Sequence, residues 1–372
     1  EPVSLNMRPA QAPSRCGPAA CSGEAHAAQK GGRFVRSNTF STWALSLIGL
    51  AVFWLVAGSL TAETVRLHPF LLLFSYQLYY FSAGLFAPQG NFEVGPWALR
   101  RARVLLGLYA ACGLASLALY ALCGAPGTEG PAALAAQFLF GLGTAPFGGG
   151  LLWLVPSTLL AEFLFVLLRR TFPGNWFLLF ACGLVSLGTS MAYGLPGQVA
   201  YGADGALRYL IYYALGAVAA ALVQKQNKAN ASFPRGLRLC ALGAGCLALA
   251  LAAFCFWFGT GWATGRLGGQ FLLVQACNFV FALMGIAGMA LVALVLARLR
   301  LCAALGRAAG AVLGLGGALA LCADTAAAVL GVPRNAEGQL VTLALSAGIC
   351  ALCAVLWHLC RKKLPVVFGA GE

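Results

Sequence analysis

The sequence predicts an all-α polytopic membrane protein with about ten transmembrane helices and both termini cytoplasmic. Three observations carry that prediction. The 372 residues are 60% hydrophobic and only 9% charged, with a mean hydropathy of +0.83, whereas soluble domains carry about 25% charged residues. Ten apolar stretches follow one another, each near the ~20 residues that cross a hydrocarbon layer. The basic residues between them fall on alternate loops. Only Arg66, Arg208, Arg266 and Arg334 lie on one side, four of the 24 Lys and Arg, which leaves 20 on the other. Lys and Arg are retained in the cytoplasm during insertion, so the crowded side is the cytoplasmic one.

Taken in order, residues 1–36 are rich in Pro, Ala, Gly and Ser without apolar periodicity, and read as a disordered cytoplasmic tail. The tail has no apolar core followed by a small-residue cleavage site, so the first span is expected to direct insertion into the cell membrane. Residues 37–369 form the membrane domain. Its spans are expected at 41–62, 70–87, 104–123, 151–168, 175–193, 208–223, 236–258, 270–297, 308–331 and 340–360. Leu134–Phe140, followed by a glycine-rich run to Gly150, is too short to cross and reads as an interfacial or re-entrant piece. Gly306, Gly310 and Gly314 form a small-residue ladder suited to close helix contact.

Several function classes drop out at this stage. The net charge of +14 is dispersed as short clusters at the predicted cytoplasmic ends, with no continuous basic helix or aromatic platform, so nucleic acid is not an expected partner. Membrane lipid, anionic on the inner leaflet, is. Of 14 Cys, most lie inside apolar runs, and the tail pair Cys16 and Cys21 has no companion ligands. Neither a metal site nor a disulfide framework is expected. A transporter would show paired interrupted helices in an inverted repeat, and the chain shows no such repeat.

Short motifs then recur in a telling order. Phe74-Ser75-Tyr76-Gln77-Leu78-Tyr79-Tyr80-Phe81-Ser82-Ala83-Gly84 is an aromatic second span, and Arg100-Arg101-Ala102-Arg103 is a basic entry into the third. Leu152-Trp153-Leu154-Val155-Pro156 with Ala161-Glu162 marks the fourth, Arg208 to Gly216 the sixth, and Arg361-Lys362-Lys363-Leu364-Pro365 closes the domain. In this order they resemble the membrane acyltransferase family 3, ten-span O-acyltransferases acting on cell-surface sugars and lipids. The resemblance covers about residues 40–369. It implies transfer of an acyl group, in the first instance acetyl, from cytoplasmic acyl-CoA to a hydroxyl of an extracytoplasmic glycan or lipid-linked sugar. Acyl-CoA (acetyl-CoA) would be a donor substrate, with no bound cofactor.

The departures matter equally. The family's first-span basic residue and catalytic His correspond to Ile48 and Ser59. Its other histidines correspond to Ser75, Leu151 and a position near Gly316. A general base worth ~10²–10⁴ in rate is therefore missing from its usual place. A serine hydroxyl itself needs a base before it can act. The chain leaves two readings open: an acyltransferase with a relocated base, or a catalytically inactive member kept as a membrane assembly or interaction partner. Candidate catalytic residues are Ser59, His68 on the outer hairpin beyond it, and Glu162 within the fourth span. Arg100, Arg101 and Arg103 are fixed cations that suit donor phosphates, although any cytoplasmic loop displays such residues. Ser75, Tyr79 and Ser82, at i, i+4 and i+7, place a polar face on the second span that suits a substrate cavity. Asp324, a carboxylate in the ninth span, joins them because intramembrane acids face cavities or partners.

Overall fold

A computed structural model describes residues 38–60, 67–90, 92–123, 138, 151–172, 174–192, 199–226, 240–252, 271–329 and 339–363. Among the described residues the protein is all-helical. The helices are α1 (Asn38–Leu60), α2 (Leu67–Gly84), α3 (Val94–Cys123), α4 (Leu154–Thr171), α5 (Asn175–Ala192), α6 (Ala203–Arg208), α7 (Leu210–Gln226), α8 (Cys240–Ala252), α9 (Phe271–Leu296), α10 (Arg300–Arg307), α11 (Ala309–Val329) and α12 (Gln339–Lys363). A helix lies over each of the ten predicted stretches. Five are long and apolar enough by themselves to cross a membrane: α1, α3, α5, α9 and α12. The number rises to seven if α6–α7 and α10–α11 each count as one bent span, with bends of 61° and 81°. The expected tail, residues 1–36, lies outside the described residues, as do the glycine-rich run 141–150 and all of the preceding piece 134–140 except Phe138.

Local chemistry sets several helix starts. Pro69, Pro96 and Pro156 each occupy the third residue of α2, α3 and α4. The first four N–H groups of a helix have no intrahelical acceptor, so a proline there forfeits nothing. Thr171 ends α4 two residues before Pro173, whose ring disfavours a helical conformation just ahead of it.

The centre of the bundle is α1, on which Ala44, Leu47, Ala51, Val52 and Leu55 are fully enclosed. It is flanked by α2, α9, α10, α11 and α12. The outer helices are inverted relative to a soluble protein. On α5, Trp176, Phe177, Phe180 and Leu184 are exposed while Ser186 and Thr189 are buried. An apolar outer stripe of this size is what acyl chains would cover. The protein is a membrane protein on this ground as well as on composition.

Backbones touch directly at glycines. A Cβ on Gly84 of α2 would strike Tyr213 O of α7, and one on Gly216 of α7 would strike Phe81 O of α2. Gly49 of α1 and Gly306 of α10 cross in the same way, against Cys302 O and Leu45 O. The expected ladder is corrected here. Gly306 lies before the 81° bend and faces α1, whereas Gly310 and Gly314 lie after it and face Leu108 and Cys112 of α3. One spacing in sequence thus serves two different neighbours.

Candidate functional site

A seam of buried polar side chains runs along α4. Starting at its first turn, Ser157 donates to Gly202 O at 2.8 Å and shares a hydrogen bond with the Tyr80 hydroxyl. Thr158 Oγ1 donates to Leu154 O at 2.6 Å and is 2.9 Å from Tyr79 Oη. One turn further, both Glu162 oxygens accept from Arg101, Nε and Nη2 each at 2.7 Å. At the far end, Arg169 donates to Pro88 O at 3.1 Å, and Arg170 to Phe92 O at 3.2 Å. From Ser157 to Arg169 this seam runs ~18 Å at 1.5 Å per residue.

Burial makes the seam consequential. Ser157, Thr158, Tyr79, Tyr80 and Glu162 are all buried, Glu162 at 2% exposure. Arg101 differs, because its side chain remains 40% exposed beside a carboxylate at 3%. The fork of two parallel bonds is the strongest geometry available to an Arg–carboxylate pair. Tyr79 lies within electrostatic reach of both charges. Arg100 and Arg103, on the same turn of α3, are exposed.

At the other end of the seam the chain enters α6 through a 3₁₀ turn, Ala200–Gly202. Tyr201 and Gly202 have φ of +56° and +63°, a left-handed conformation natural for Gly202 but costly for Tyr201. Gly202 and Gly205 pass beneath the Trp153 ring so closely that neither has room for a Cβ. Asp204, expected in an outer loop, is instead 1% exposed inside α6. Its Oδ1 accepts from Val199 N–H at 3.4 Å. Tyr76 stacks on Tyr209 with ring centroids 5.8 Å apart, and Tyr80 tilts against Tyr209 at 5.1 Å. The 61° bend between α6 and α7 is closed by Ser186 of α5. Its hydroxyl donates to Leu207 O and accepts from Ile211 N–H, both at 3.1 Å. A hydroxyl from a neighbouring helix commonly re-satisfies backbone groups freed at a break within a membrane.

The predicted site residues divide sharply. Glu162, Arg101 and Tyr79 come together, with Arg100 and Arg103 at the rim. Ser59 does not join them. It is the penultimate residue of α1, and its hydroxyl donates to Val56 O at 2.8 Å, a bond within its own helix. Ile48 packs against the backbone of Gly306, and Val56 against Gly316. Leu151 is 2% exposed. Of the positions that the resemblance singles out, Ile48 thus meets the α10 backbone and Gly316 an aliphatic side chain. On the polar face of α2, Ser82 donates to Leu78 O at 2.6 Å, whereas Ser75 Oγ is buried without a hydrogen-bond partner. The side chains of His68 in the first turn of α2 and Asp324 in α11 lie outside the described residues. No group of three or more His, Cys, Asp or Glu that could hold a metal occurs among the described residues.

Sequence reasoning missed Ser157, Thr158, Asp204 and Ser186. A signal existed for the first two: with Glu162 they fall at i, i+1 and i+5, one face of an otherwise apolar helix. No family model matches this chain, and neither a curated protein nor a solved structure does.

Proposed function

We propose that the chain is built on the membrane acyltransferase family 3 plan: ten spans in the cell membrane, with both ends cytoplasmic. On this reading it moves an acyl group, acetyl in the first instance, from cytoplasmic acyl-CoA to a hydroxyl of an extracytoplasmic glycan or lipid-linked sugar. The supporting observation is the Arg101–Glu162 pair. It joins the basic entry of the third span to the Ala161-Glu162 motif of the fourth, two segments 61 residues apart that carry the resemblance. The cations Arg100, Arg101 and Arg103 then form the donor end of the seam. The Gly202 turn with Asp204 lies toward the acceptor end. Reporters fused after Arg103, Arg170, Lys228, Arg307 and Lys363 should read cytoplasmic, and those near Glu129, Asp204 and Arg334 external. One internal site reporting outside would break the ten-span arrangement.

A second reading is favoured by the surroundings of Ser59. With its hydroxyl returned to Val56 O and aliphatic groups at Ile48 and Gly316, no general base stands where the family carries one. The chain would then be a catalytically inactive member that acts as an assembly or interaction partner. Transfer from acetyl-CoA by purified protein in detergent decides between them. Transfer that survives Ser59→Ala but disappears with Glu162→Gln establishes an enzyme with a relocated base. No transfer to any acceptor or to water, by protein that still binds acetyl-CoA, establishes the inactive member.

A further inference from the structure

The Arg101–Glu162 pair is asymmetric in a way that a purely structural ion pair is not. The carboxylate is sealed in the protein, while the guanidinium that holds it is 40% exposed and stands on a helix turn between two exposed cations, Arg100 and Arg103. Two of Arg101's donors are committed to Glu162. Phosphate monoesters and diphosphates present oxygen pairs of the same spacing and charge, and bind arginine by the same fork. An incoming phosphate at this rim meets the remaining donors of Arg101 and, with its greater charge, draws the guanidinium away from Glu162.

We propose that the Arg101–Glu162 pair is a latch opened by a nucleotide phosphate: phosphate captures Arg101 and releases the Glu162 carboxylate into the seam beside Tyr79 and Thr158. This rests on the proposed donor site and adds its regulation. The protected state is the one without donor, in which the carboxylate is neutralised and unavailable to the Tyr79 and Thr158 hydroxyls. The opened state places an uncommitted carboxylate one turn from them. Any proton accepted by this carboxylate thus requires an occupied donor site.

The latch makes opposite predictions for its two halves. With adenosine 3′,5′-bisphosphate as probe and purified protein in phosphatidylcholine nanodiscs, Arg101→Gln should abolish binding, whereas Glu162→Gln should tighten it about tenfold by removing the competitor. A structural pair predicts weaker binding, or none, in both variants, and that result overturns the latch. Wild-type protein supplies a test independent of variant folding. A membrane-permeant carbodiimide should label Glu162, read by mass spectrometry of its peptide, several times faster with the bisphosphate than without. Unchanged or slower labelling overturns the proposal. Nanodiscs containing phosphatidylglycerol separate the two phosphate sources. Faster labelling by this lipid with no nucleotide present would make a lipid headgroup the opener and overturn the nucleotide assignment. Protein that passes both tests yet transfers no acyl group keeps the latch and loses the enzymatic reading. Transfer of acetyl without release of Glu162 does the reverse.

Discussion

α1 and α4 are both deeply buried helices, yet the serines of α1 and those polar side chains of α4 that cross to other segments engage different partners. On α1 the hydroxyls of Ser46 and Ser59 return to their own helix, at Thr42 O and Val56 O. On α4, Ser157, Thr158 and Glu162 reach outward to Gly202, Tyr79, Tyr80 and Arg101, residues of three other segments. A hydroxyl bonded to its own backbone holds no neighbour and presents little to a substrate. A group bonded across helices fixes their relative position and depends on all of them. The cross-helix bonds of buried hydroxyl and carboxyl groups are thus made by α4, whereas the family resemblance directs attention to α1.

The largest expected effect attacks the α4 side. Arg101→Ala leaves Glu162 buried and uncompensated, and should cost about 3 kcal/mol, the low end for breaking a buried ion pair because Arg101 is 40% exposed. Thermal unfolding in detergent reads this as a large drop, and a loss no greater than that of a surface substitution would remove the contrast. Next comes the backbone crossing that holds α2 against α7. Gly216→Leu should cost about 1–3 kcal/mol by overpacking against Phe81 O. Gly310→Leu should cost less in the same assay, because it meets the movable end of Leu108. Ser186→Ala removes one hydroxyl that serves both sides of the α6–α7 bend, and should cost about 1 kcal/mol. Amide exchange measured at Ile211 should rise with it; unchanged exchange would mean the bend is held by packing alone. Smallest is Ser59→Ala on α1, expected within about 0.5 kcal/mol of wild type. A loss comparable to that of Arg101→Ala would return α1 to the centre of the mechanism.

Much of the fold was legible because hydropathy needs no partner: every predicted stretch carries a helix, since a run of apolar residues marks one wherever it packs. The bends were not. Nothing in the spacing of Gly306, Gly310 and Gly314 reveals that the helix turns by 81° between Arg307 and Ala309. Glu162 and Arg101 were each legible as intramembrane or membrane-edge charges, but their pairing spans 61 positions and required the fold. Asp204 was hidden for a different reason. Flanked by Gly202 and Gly205 it has the composition of a loop, and only the close pass of those glycines under Trp153 carries it inside. Ser59 was a candidate by alignment of position alone, and its neighbours assign it a local bond.

The contact of α10 with α1 has a consequence for ancestry. Gly306 lets a bare backbone rest beside Ile48 and Leu45. If an ancestor carried a basic residue at position 48 and a histidine at 59, the lineage cannot retrace its path by those two changes alone. A guanidinium at 48 would meet the α10 backbone at Gly306, so reversal would disturb the α1–α10 crossing. A glycine on another helix thus sets what position 48 can hold, and a change there calls for a matching change on α10.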